Sequence, residues 1–167
     1  MSPNLSLLRK FVSPEIIFGA GCRHNVGNYA KTFGARKVLV VSDPGVIAAG
    51  WVADVEASLQ AIGIDYCLYS DVSPNPRVEE VMLGAEVYRD NHCDVIVAIG
   101  GGSPMDCGKA IGIVVAHGRN ILEFEGVDTL RVPSPPLILI PTTAGTSADV
   151  SQFVIISNQQ ERMKFSI

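Results

Sequence analysis

A doubly wound α/β domain is the fold class this sequence predicts, with a mostly parallel sheet and a C-terminal β-hairpin. Three observations predict it. Apolar runs of strand length alternate with stretches of helical period. The connections between them are short. Two loops that leave apolar runs are rich in glycine or in hydroxyl side chains.

The elements follow in order. "EIIFG" (15–19) predicts a short opening strand. In "HNVGNYAKTFG", Val26, Tyr29, Ala30 and Phe33 share a helical face, and Gly34 is a natural stop. "KVLVV" (37–41) is a valine-rich run that suits a strand buried on both faces. "VIAAGWVADVEASLQAIG" repeats Val52, Val55, Leu59 and Ile62 at helical spacing, which predicts one helix ending at Gly63. "IDYCLYS" (64–70) is a third strand. The next helix should open with Asn75 as N-cap and Pro76 at its first position, and bury Val78, Met82, Ala85 and Tyr88. "DVIVAIG" (94–100) is the clearest buried strand. A helix from Pro104 to about His117 follows it, and then another buried strand, "PLILIP" (136–141). "QFVIIS" (152–157) and "RMKFSI" (162–167) flank the polar turn "NQQE" as a hairpin. The last run is apolar where termini are usually polar, so the end is expected to be a cut rather than a natural terminus.

Composition narrows the function classes. The chain has 167 residues, 47% of them apolar, enough for a packed core. Thirteen basic and 17 acidic residues give a formal net charge of −4, which leaves no electrostatic footprint for nucleic acid. No apolar run is long enough for a membrane helix, and the first ten residues do not read as a signal peptide, so a cytoplasmic location is expected. Cys22, Cys67, Cys93 and Cys107 form no C-x-x-C pair and are expected to be reduced core residues. His24, His92 and His117 lack metal-ligand spacing and read as surface or helix-end residues.

Ligands of open α/β sheets bind outside the carboxyl ends of the strands. "GGGSP" (100–104) and "PTTAGTS" (141–147) both lie there. In the first loop, glycines let backbone N–H groups approach an oxygen closely. Ser103 is the expected N-cap of the helix, with Pro104 next and Asp106 three after the serine, as in a capping box. The helix N-terminus then favours a pyrophosphate. A Walker loop is excluded, because Gly108-Lys109 has Ser103 where that motif needs its first glycine and Ala110 where it needs a hydroxyl. A G-x-G-x-x-G reading from Gly100 and Gly102 fails at Met105. The second loop offers Thr142, Thr143, Thr146 and Ser147 as donors to phosphate, ribose or base. Asp43, after "KVLVVS", suits a ribose 2′-hydroxyl, but "DPG" is equally a turn and helix start, and both readings stand.

"GGGSPMDCGKAIG" followed by "PTTAGTSADV", with "VSPNP" and the "VSD" strand end, resembles the iron-containing (group III) alcohol dehydrogenases. The resemblance covers nearly the whole chain and only that family's N-terminal, Rossmann-like half, akin to the N-terminal domain of dehydroquinate synthase. It implies NAD as cofactor and a small alcohol or aldehyde as substrate. Gly101, Gly102 and Ser103 would hold the pyrophosphate, and Asp43 would read the adenosine ribose and favour NAD over NADP. Asn75 would lie near the cofactor, and Thr142, Thr143 and Thr146 would line the adenine and phosphate side. Asp106 would face the nicotinamide side of the cleft as the catalytic position. Lys164 would approach the nicotinamide ribose; the residues alone make it a solvated strand lysine. "TSADV" departs from the more common "GTGSEV". The family's iron, or zinc, is held by an aspartate and three histidines downstream of the matched region, so no metal ligand is expected in residues 1–167. The whole of 1–167 is therefore expected to be one dinucleotide-binding domain, with the metal-binding helical domain absent. A dinucleotide-binding module without turnover is the alternative, and a homo-oligomer is expected from the apolar surface left uncovered.

Overall fold

The computed structural model describes residues 14–126, 130–159, 161 and 163–167. A 3₁₀ turn (Cys22–Asn25) leads into α1 (Val26–Thr32), followed by β1 (Lys37–Val41), α2 (Pro44–Ala48), α3 (Trp51–Gln60), β2 (Asp65–Tyr69) and α4 (Val78–Asp90). Then come β3 (Val95–Gly100), α5 (Gly102–His117), a 3₁₀ turn (Ile121–Phe124), β4 (Leu137–Pro141) and the strands β5 (Ile155–Asn158) and β6 (Met163–Ser166). Four strands form one parallel sheet in the order β2-β1-β3-β4, and β5 and β6 pair antiparallel as a separate hairpin.

The alternation of side chains across a strand divides the core in two. Val38 and Val40 of β1 and Val95, Val97 and Ile99 of β3 pack with α1 and α3 on one face. Leu39, Val41, Ile96 and Ala98 pack with α4 and α5 on the other. Both central strands are thus apolar at every inward position, as a sheet covered on both faces requires. Helix α5 lies close because residue 108 is glycine: a Cβ there would stand 2.9 Å from the Ala98 Cβ. His117, at the end of α5, places Nδ1 2.9 Å from the Ile113 carbonyl, and its Nε2 accepts the Arg131 and Val132 N–H groups. Cys93 and Cys107 are buried, Cys67 is half-buried with its Sγ 3.4 Å from that of Cys93, and Cys22 is exposed.

Several sequence expectations need correction. Residues 15–18 are exposed and pair with no strand among the described residues; Phe18 is 98% exposed. The single helix expected over 46–63 is two helices, because Gly50 adopts φ +82° and turns the chain between α2 and α3. Strand β4 is half-buried rather than buried, since it forms the sheet edge. Helix α4 starts at Val78, not at Pro76. Asn75 sits at φ +60° and the Pro76 carbonyl accepts the Ser157 N–H at 2.8 Å, so segment 75–77 binds the hairpin instead of entering the helix. Glu80 closes the new start by accepting the Arg77 N–H at 3.0 Å. The N-cap of α5 is Gly101 rather than Ser103, and Asp106 makes no capping box. Residues 1–13 and Arg162, the first residue of the expected final strand, lie outside the described residues.

Candidate functional site

The sheet order reverses direction between β1 and β3, so the connections leaving these neighbours run to opposite sides. A crevice opens at such a switch point. The cleft there measures about 780 Å³ and takes lining residues from the loops after all four parallel strands: Val72–Pro74, Asp43–Val46 with Trp51, Gly101–Pro104, and Thr142 with Thr143. That volume falls in the usual range for small-molecule sites, about 300–1,000 Å³. A smaller hollow of about 380 Å³ lies along α4, beside Glu79 and Glu86, away from the carboxyl ends of the parallel strands.

The mouth of the cleft is stitched by short polar contacts. Ser42, buried at the end of β1, takes its N–H to the Tyr69 carbonyl and its hydroxyl to the Ile99 carbonyl at 2.9 Å, tying β2, β1 and β3 together. Asp43 Oδ1 accepts the Val46 N–H at 3.0 Å and so caps α2, while the residue still faces the cleft. The turn-and-helix-start reading of Asp43 holds, and its carboxylate keeps further lone pairs beyond the one used by the cap.

The glycine loop turns sharply because Gly100 lies 2.6 Å, at its absent Cβ, from the Pro104 ring. No side chain could be accommodated. The Gly100 carbonyl accepts the Thr142 N–H at 2.8 Å, which fastens the threonine loop beside it. Thr143 and Thr146 then stand over the bare faces of Gly101 and Gly102, with atoms 3.2 Å and 3.4 Å from where a Cβ would be. The first N–H groups of the 16-residue helix α5 have no side-chain cap. Unpaired N–H groups at a helix start favour an anion. Ser73 Oγ, in the same cleft, is buried with no hydrogen-bond partner among the described residues. A glycine floor, free helix N–H groups and an orphaned hydroxyl fit a phosphate-bearing ligand.

Asn75 and Lys164 form a side group to this cleft. Lys164 Nζ donates to Asn75 Oδ1 at 2.5 Å, and the Asn75 N–H donates to Ser103 Oγ at 3.1 Å. Three residues singled out from the resemblance thus make one chain of contacts linking the hairpin, the loop after β2 and the glycine loop.

Asp106 does not line the cleft. Its Oδ2 accepts the Ile155 N–H at 3.3 Å, and Oδ1 lies 3.6 Å from Lys109 Nζ. Lys109, which sequence reasoning gave no role, donates to the Ser151 and Phe153 carbonyls at 3.0 and 3.1 Å. Its i, i+3 spacing from Asp106 on a helix was the available signal. Burial pushes the Asp106 carboxyl above its ordinary value against the pull of Lys109. Burial likewise pushes the Lys109 ammonium down against the pull of Asp106. The pair clasps the entry of β5 onto α5. Among the described residues, no three His, Cys, Asp or Glu side chains gather where a metal ion could sit.

The family model described as iron-containing alcohol dehydrogenase matches residues 13–167. The 1,3-propanediol dehydrogenase of Citrobacter freundii is 40% identical over 160 residues, covering 94% of this chain and 41% of the relative. A crystal structure of a 1,3-propanediol oxidoreductase superposes with TM-score 0.92 at 35% identity, over 96% of this chain and 42% of that one. The sulfoacetaldehyde reductase of Bifidobacterium kashiwanohense, crystallised in complex with NAD+, gives TM-score 0.85 at 30% identity, over 96% and 43%. The chain spans about two-fifths of the length of the curated relatives it matches.

Proposed function

This chain belongs to the iron-containing alcohol dehydrogenase family, and on that premise we propose that it is the dinucleotide-binding part of an NAD-dependent alcohol dehydrogenase. The observation that carries the proposal is the cleft at the β1/β3 switch point, with its glycine floor and Asp43 at its wall. Bound NAD supplies the hydride acceptor for a small alcohol, and NADH the donor when an aldehyde is reduced.

The chain's own residues bind and orient. Backbone N–H groups of Gly101 and Gly102 and the Ser103 hydroxyl receive the pyrophosphate at the start of α5. Asp43 accepts from the 2′-hydroxyl of the adenosine ribose, and its charge opposes a 2′-phosphate. Thr142, Thr143 and Thr146 offer donors from the facing loop. Asn75 and Lys164 act as a unit beside Ser103, on the nicotinamide side. Asp106, which lies outside the cleft lining and is clasped to Lys109, stays the proposed catalytic position on the family resemblance alone.

The described residues do not fit iron or zinc. In this proposal the metal-binding helical region lies outside 1–167, and the chain is one domain. Exposed Ile16, Ile17 and Phe18 support packing against a further protein surface, a second copy included. Four free thiols among the described residues suit the cytoplasm, and no described helix is long and apolar enough to cross a membrane.

Calorimetric titration tests the reading. NAD should bind, NADP should bind more weakly, and Asp43→Gly should narrow the gap between them. Absence of heat with either dinucleotide overturns the proposal, and an unchanged NAD/NADP ratio in Asp43→Gly removes the role of Asp43.

A further inference from the structure

Trp51, the single tryptophan of the chain, is left over by both cores. Val52, Val55 and Leu59 of α3 take the buried stripe, whereas Trp51 at the first position of the helix is 41% exposed and belongs to neither apolar cluster. It lines the dinucleotide cleft instead, and it is the one aromatic among the lining residues. Its placement follows from the chain path: Asp43 caps α2, α2 ends at Ala48, and Gly50 at φ +82° reverses the chain so that Trp51 returns to the same wall as Asp43 and Gly45.

Resting on the NAD reading above, we infer that Trp51 is the platform for the adenine base of the bound dinucleotide. With the pyrophosphate at Gly101–Ser103 and the adenosine ribose at Asp43, the base is the next moiety, held in the cleft between the Asp43 wall and the facing loop of Thr142 and Thr143, and the indole is the π surface on the Asp43 wall. A purine gains affinity from an aromatic face without needing hydrogen bonds to its edge. The free adenosine end and the adenine of the dinucleotide share this chemistry, so ADP-ribose is a sufficient probe.

The test titrates ADP-ribose, nicotinamide mononucleotide and NADH into the unsubstituted protein, Trp51→Phe and Trp51→Leu. ADP-ribose, which carries no nicotinamide, should change the tryptophan fluorescence of the unsubstituted protein. Trp51→Leu should weaken ADP-ribose and NADH alike by about tenfold, and Trp51→Phe by about twofold. Nicotinamide mononucleotide should bind all three equally, which a general loss of fold would not allow. ADP-ribose binding equally well to Trp51→Leu overturns the inference and leaves the NAD reading standing. Failure of the unsubstituted protein to bind NADH or ADP-ribose overturns both.

Discussion

The four-stranded sheet and the β5–β6 hairpin are held by different physics. β1 and β3 have every residue after Lys37 buried, and each alternate side chain meets a helix layer. The hairpin keeps only a few buried residues, among them Ile156 and Phe165, while Ile155 and Met163 are exposed. Its remaining hold is polar: the Lys109 ammonium on two carbonyls, the Asp106 carboxylate on the Ile155 N–H, the Ser157 N–H on Pro76, and Lys164 on Asn75. Apolar burial is cooperative and shared among many side chains at once. Polar pins are few, directional and removable one at a time.

Breaking the sheet should therefore cost the whole molecule, and breaking a pin should cost one part. Leu39→Ala removes a fully buried side chain. It should lower the unfolding free energy by about 2–5 kcal/mol, read from a urea transition, and speed amide exchange in sheet and hairpin together. Lys109→Met strips two carbonyls and leaves Asp106 buried without its cation. About 3 kcal/mol of local hold should be lost, so that the Ile155 amide exchanges about a hundredfold faster while the amides of β1 keep their protection. Equal acceleration in both regions would show that the hairpin is no separate unit.

The smallest effect is in pH, and its sign differs between the two regions. Asp94, at the foot of β3, is pushed up by burial but more strongly drawn down by hydrogen bonds from Arg36 and the Lys37 N–H, so its folded value lies below the ordinary 3.8. Its stabilisation is present above 3.8 and is lost as pH falls through the folded value. Asp106 is shifted the other way, above 3.8. The folded state then holds that proton more tightly, and stability declines as pH rises from 3.8 through the folded value. Urea midpoints against pH should lose the acid-side fall in Asp94→Asn and the rising-side decline in Asp106→Asn. Identical profiles in the two variants would remove the contrast.

What could be read in the sequence follows the same division. The strands at 37–41 and 95–100 were visible because burial on both faces demands unbroken apolar runs, and the Val52, Val55, Leu59 stripe because one helix face is buried. The glycine loop was legible because only glycine fits against Pro104. The starts of α4 and α5 were misplaced because distant partners set them: Asn75 meets Ser103 28 residues away and Lys164 89 residues away. Asp106 looked like a local cap, yet its partner is the Ile155 N–H, 49 residues on. "EIIFG" carries strand composition, and composition does not say whether a partner strand exists. By sequence Trp51 falls within one continuous helix, since the turn at Gly50 leaves the helical spacing of its neighbours almost undisturbed.

The strand order β2-β1-β3-β4 also has a consequence for synthesis. β1 finds its first neighbour in β2, register Lys37 to Asp65, soon after both emerge from the ribosome. Its other edge must wait for β3, where Val38 meets Val95. Until then a row of bare valine and leucine backbone is open to any passing strand, the kind of edge that invites aggregation. The nascent chain is thus most vulnerable between the appearance of β2 and that of the glycine loop, and a chaperone would serve it best in that interval.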